Sequence, residues 1–126
     1  MYGRDSAQAE ATAEWRRRQN AAPWLRDASP QLKSLRLMFD EARTDGSHSG
    51  RAYASPVLVD SARARFEVRC LEPRCDGMHD LTAQVLRAIQ EHRKADCIRS
   101  PCDGYINQQH QCSRTLVCSL EIGYRD

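Results

Sequence analysis

Aromatic residues make up only 6% of this 126-residue chain, and lysine occurs twice against 17 arginines. The first scarcity limits the core. With 40% hydrophobic residues but few large rings, one domain of this size buries a modest apolar area and gains from a cross-link or a metal. The second gives the basic residues one character, because arginine makes planar, bidentate contacts to phosphate or carboxylate that lysine does not. Neither sign of charge prevails. Residues 1–60 hold nine basic and eight acidic groups, residues 61–126 hold ten and nine, and the formal net charge is +2. The overall positive field of a strong nucleic-acid binder is therefore missing. No run of 18 apolar residues occurs, so no membrane-spanning helix is expected. The first 20 residues lack an apolar stretch and do not read as a secretory signal. The expected location is cytoplasmic, where thiols stay reduced.

Reactive motifs are missing too. There is no Gly-rich phosphate loop, no GxSxG and no HExxH, and no C-x-x-C of the redox type. His48, in "GSHSG", reads as a loop residue. These absences point to a protein that is not an enzyme.

What the chain does have is six cysteines. "CLEPRCDG" at 70–77 and "CIRSPCDG" at 97–104 both read Cys-x4-Cys-Asp-Gly, 27 residues apart, and Cys112 and Cys118 follow. In a reducing compartment such a set reads as metal ligands before it reads as three disulfides. Two cysteines a few residues apart on one turn bring both sulfurs to one ion, and the glycine after the second lets the chain fold back. Four thiolates on one Zn²⁺ would carry about −2 and cancel the surplus charge.

Periodicity sorts these thiols. "RARFEVRC" (63–70) alternates strictly, with Phe66, Val68 and Cys70 on one face, and so predicts a strand that ends at Cys70. "RTLVCSLEIGYR" places Leu116, Cys118, Leu120, Ile122 and Tyr124 at period two. Cys118 therefore reads as a core residue. Between them, "LTAQVLRAIQEHRK" (81–94) carries an apolar stripe of Leu81, Val85, Leu86 and Ile89, with Asp80 placed to cap it. A ribbon-like site takes its first pair at a strand end and its second from a loop leading into a strand, and a resemblance to that arrangement favours Cys70, Cys75, Cys102 and Cys112. Two alternatives stay open: Cys97 in place of Cys112, and His110 in place of Cys102 or Cys112. His79 and His92 read as surface or helix-end residues.

Upstream, residues 6–20 are rich in helix formers, with Ser6 as a start and Glu14 placed to meet Arg17 and Arg18. "AAPWLRDASPQ" reads as a Pro-containing linker. "LKSLRLMFDEA" (32–42) alternates Leu35, Leu37 and Phe39 against Arg36, Met38 and Asp40 and predicts a strand. "RTDGSHSG" reads as a loop and "SPVLVD" as a short strand. The expected organisation is a helical arm and linker over 1–30, followed by a zinc-binding domain over 31–126. Its class is α+β: a small antiparallel sheet with one helix across a face.

Cys70, Cys75, Cys102 and Cys112, with the helix between the pairs, give residues 65–124 an architecture that resembles a zinc ribbon or the related treble-clef class. The resemblance implies a structural Zn²⁺ in a small binding module. Two arginine groups are candidates to face phosphate or an acidic partner: Arg16, Arg17 and Arg18 in the arm, and Arg63, Arg65, Arg69 and Arg74 around the 63–70 strand. The expected function is a non-enzymatic, zinc-stabilised module engaging nucleic acid or a nucleic-acid-handling complex. The alternatives are a protein–protein adaptor or structural subunit, and, behind both, a thiol redox sensor. No small-molecule substrate is indicated.

Overall fold

The structure, a computed structural model, describes residues 3–42, 53–72 and 74–126. The loop expected at 43–50 lies outside them. The described fold is mixed α and β, with an N-terminal helix and a small antiparallel sheet. In chain order the elements are α1 (Gly3–Ala21), α2 (Leu25–Ala28), β1 (Leu32–Ala42), β2 (Tyr53–Val57), β3 (Glu67–Arg69), β4 (Met78–Asp80), α3 (Thr82–Gln90), β5 (Ala95–Pro101), β6 (Tyr105–Ile106), β7 (His110–Gln111) and β8 (Thr115–Tyr124).

Four strands form the main sheet in the order β2-β1-β8-β5, every pairing antiparallel. The alternation expected for β1 and β8 sets their register: Leu35 faces Ile122, Leu37 faces Leu120 and Phe39 faces Cys118. All six are buried on one face. Because strand side chains alternate, this face is apolar while Arg36, Glu121 and Arg99 point the other way into solvent. Helix α3 crosses the apolar face and supplies Val85, Ala88 and Ile89, none more than 1% exposed. The N-cap position falls on Leu81 and not on Asp80, whose Oδ1 one residue earlier accepts the Thr82 N–H at 3.1 Å.

Helix α3 stops four residues before the expected 94. His92 takes φ 55°, Arg93 donates its N–H to the Ala88 carbonyl, and His92 donates to Ile89. This is a Schellman ending with histidine where glycine is usual. The His92 ring stacks on Tyr124, centroids 4.7 Å apart, so the ending is tied to β8. Residues 91–94 form the turn, and β5 follows directly, a strand where the sequence indicated a turn. It lies at the sheet edge, only Ile98 of its seven residues is buried, and Pro101 sits at its far end. An edge strand tolerates that proline and shows little alternation.

The strand expected over 63–70 is shorter. Residues 62–64 bond instead to the segment before α2: Leu25 donates to the Ala62 carbonyl at 2.9 Å and Ala64 to that of Pro23 at 2.8 Å. Only Glu67–Arg69 pairs as a strand, with β4. The segment read as a linker is packed here, since Leu25 is fully buried in the same cluster as the sheet core.

Helix α1 is attached at its C-terminal end. Arg18 donates to both carboxylate oxygens of Glu67, at 3.0 and 3.2 Å, Gln19 donates to the Arg65 carbonyl, and Arg63 donates to the Ala22 carbonyl. The Glu67 side chain is 4% exposed, although alternation placed it outward. Burial alone would raise its pKa, but hydrogen bonds from Arg18 and Arg65 outweigh that and hold it below the usual carboxylate range. Residues 9–14 of α1 are exposed.

Candidate metal centre

The sulfurs of Cys70, Cys75, Cys102 and Cys112 all lie within 4.8 Å of one another, and all four residues are buried. Each is delivered by an element boundary. Cys70 follows β3, Cys75 lies in the turn before β4, Cys102 follows β5 and Cys112 follows β7. Across the cluster Cys75 meets Cys102 at 3.5 Å and Cys70 meets Cys112 at 3.9 Å. With Ile106 packed against them, the four form a cluster separate from the main core.

The two Cys-Asp-Gly turns are built alike. The Gly77 N–H points at the Cys75 sulfur at 3.3 Å, and the Gly104 N–H at the Cys102 sulfur at 3.4 Å. The Gly77 carbonyl accepts the Cys70 N–H at 3.0 Å, and the Gly104 carbonyl accepts the Cys112 N–H at 2.8 Å. Each turn thus holds two cysteines through one glycine. The turns also touch each other. A Cβ on Gly104 would lie 2.4 Å from the Gly77 Cα, and one on Gly77 would lie 2.4 Å from the Cys102 sulfur. Neither position has room for a side chain. Asp76 links the turns further, its Oδ1 accepting the Tyr105 N–H at 2.7 Å while its own N–H donates to the Tyr105 carbonyl.

Cys97 is exposed on β5, outside the cluster, and Cys118 is fully buried in the main core. His110 is exposed on β7, outside the cluster. His79 is buried, not surface, with Nδ1 2.8 Å from the Ser100 hydroxyl. Burial drives the thiols up: Cys102 to about 12, Cys70 also upward, and the core residue Cys118 to about 12. Such thiols hold their protons at neutral pH, and a cation that binds the four must displace them.

Three charged residues beside the sulfurs escaped the sequence reading. Arg114 donates to Glu41 and pairs with Glu72 at 2.9 Å, and its own carbonyl accepts the Cys102 N–H at 2.9 Å. Glu41 and Glu72 are 1% and 3% exposed. Glu41 also stands 3.7 Å from the Cys70 sulfur. The hydrogen bond from Arg74, with Arg114 beyond it, holds the Glu72 carboxyl below its usual range. One signal for Glu41 was available: it shares the inward parity of Leu35, Leu37 and Phe39. Nothing local marks Arg114.

The arginines singled out as partner-facing are mostly occupied within the chain. Arg17 pairs with Glu14, Arg18 and Arg65 with Glu67, and Arg74 with Glu72. Arg63 lies over the Trp24 ring at 3.7 Å. Arg16 and Arg69 are exposed. Among the described residues no helix is long and apolar enough to cross a membrane. Comparison with family models, curated proteins and solved structures finds no match to this chain.

Proposed function

We propose that Cys70, Cys75, Cys102 and Cys112 hold one Zn²⁺ as the structural centre of a non-enzymatic binding module. The observation that carries this reading is the spacing of the sulfurs. A tetrahedron of sulfurs with zinc–sulfur bonds of about 2.3 Å has edges of about 3.8 Å, and the two close edges here are 3.5 and 3.9 Å. Iron–sulfur cubanes spread their cysteines farther apart, so a single ion suits this cluster better. Four thiolates fill the tetrahedron and leave zinc no open position for substrate, which favours a structural role. All six cysteines are free thiols in the structure, in keeping with a cytoplasmic setting.

For the partner, a protein of a larger assembly is favoured over nucleic acid. Five of the seven arginines expected to face phosphate or an acidic partner are engaged with the chain itself. Helix α1, exposed over residues 9–14, supplies an arm for such docking.

Elemental analysis with Cys→Ser variants tests the metal. One zinc per chain is expected in the wild type, lost in the Cys70, Cys75, Cys102 and Cys112 variants and kept in the Cys97 and Cys118 variants. Full zinc retention in Cys112→Ser would overturn the ligand set. Nucleic-acid binding that is tight at low salt and falls steeply as salt rises would overturn the preference for a protein partner.

A further inference from the structure

Resting on that zinc reading, a second feature of the centre has its own role. Burial of charge is costly unless the charge is paired, and this chain buries two carboxylates within one turn or one sulfur of the metal ligands. Glu72 lies between Cys70 and Cys75, and Glu41 stands 3.7 Å from the Cys70 sulfur. As a thiol, Cys70 donates its hydrogen to Glu41. Once a divalent cation binds, that hydrogen leaves, and a thiolate faces a carboxylate across the same gap. Four thiolates on a divalent ion already carry about −2, so the two carboxylates add negative charge to a negative centre.

Arg114 contacts both of them. Its guanidinium donates one branch to Glu41 and forms an ion pair with Glu72 through the other, with the side chain only 16% exposed. It also follows Cys112 by two residues, and its carbonyl holds the Cys102 N–H. One residue therefore touches the end of β1, the first Cys-Asp-Gly turn, and the segment that carries the second pair of ligands. Lysine at this place would match the charge but not the fork.

We propose that Arg114 is a positioning residue of the centre. By offsetting the charge of Glu41, and sharing Glu72 with Arg74, it sets how tightly the four cysteines hold a divalent, sulfur-seeking cation.

The test is titration of the purified, reduced protein with Co²⁺, read from the sulfur-to-cobalt charge-transfer band, followed by displacement with Zn²⁺ against a chromophoric chelator. Arg114→Met is expected to weaken both ions roughly 10- to 100-fold, the usual effect of removing a group that orients metal ligands. It also moves the charge-transfer band to longer wavelength, because an uncompensated Glu41 raises the energy of the Cys70 sulfur electrons. A loss of packing that leaves the four sulfurs in place does not move that band. Arg114→Lys falls between wild type and Arg114→Met. The triple change Arg114→Met, Glu41→Gln, Glu72→Gln removes the charges together and restores affinity to within a few-fold of wild type.

Wild-type affinity with an unmoved band in Arg114→Met overturns the role of Arg114 and leaves the zinc reading intact. A triple variant as weak as Arg114→Met overturns it as well, by showing that the arginine acts through folding alone. Failure of the wild type to take up either ion removes the zinc reading and, with it, this one.

Discussion

Gly77 and Gly104 are the residues on which the cysteine cluster closes, since each holds two cysteines and each occupies space the other leaves free. A methyl group on Gly104 would meet the Gly77 backbone at 2.4 Å, and backbone cannot swing aside as a flexible side chain does. Gly104→Ala is expected to destabilise the protein by about 1–3 kcal/mol, the usual cost of overpacking, and to lower its zinc content. Denaturant unfolding and zinc per chain are the measurements, and normal values for both would refute the close contact. The cysteines themselves were readable. Cys118 showed its core position by alternation with Leu116 and Leu120, and Cys112 its place before the last strand. The contact between the glycines was not, because the repeated Cys-Asp-Gly phrase indicates two turns but carries nothing about their facing each other. The same holds for Arg114, whose partners come from β1 and from the first turn.

At the level of elements, legibility followed burial. Strands β1 and β8 lie side by side at the centre of the sheet, bury one face, and alternate visibly in the sequence. Strand β5 at the edge buries a single residue, and the three-residue β3 and β4 pair mainly with each other, so none has enough periodicity to be seen whole. What fixes the β3–β4 hairpin to the main sheet includes the buried His79, hydrogen-bonded to Ser100 of β5. Burial lowers the His79 pKa, against the pull of the nearby Asp103 and Glu41 carboxylates. The sign follows from linkage. Above the unfolded histidine value of about 6.5 both states are neutral and His79 has no effect on stability. As pH falls below it towards the lower folded value, the unfolded chain binds a proton that the native state resists. Stability is therefore lost, by at most about 1.4 kcal/mol per pH unit. Unfolding midpoints of wild type and His79→Gln at pH 7.5 and 5.5 check this, with the wild type expected to lose more on acidification. Equal losses would show that His79 titrates as a free histidine.

In the whole molecule two packed centres stand side by side. One is the apolar core between α3 and the sheet, and the other is the cysteine cluster, whose lining includes almost no aliphatic residue besides Ile106. With zinc bound as proposed, a chain with few aromatics would gain there by cation binding what it does not gain by apolar burial. Stripping the metal with a chelator at neutral pH, under reducing conditions, is expected to lower the melting temperature on the order of 10 °C. That drop corresponds to about 2.7 kcal/mol of linkage for a cation at a hundredfold excess over its dissociation constant. Identical melting with and without the chelator would contradict a metal-supported fold.

Strand β8 lies in the middle of the sheet, between β1 and β5, although it follows every other described element in the chain. Cys112 and Arg114 immediately precede it. During synthesis, then, the ribosome releases the centrepiece after its surroundings. Until it emerges, β1 and β5 have no common neighbour. Closure of the sheet, and of the four-cysteine cluster completed just ahead of this strand, is thus a late event of synthesis.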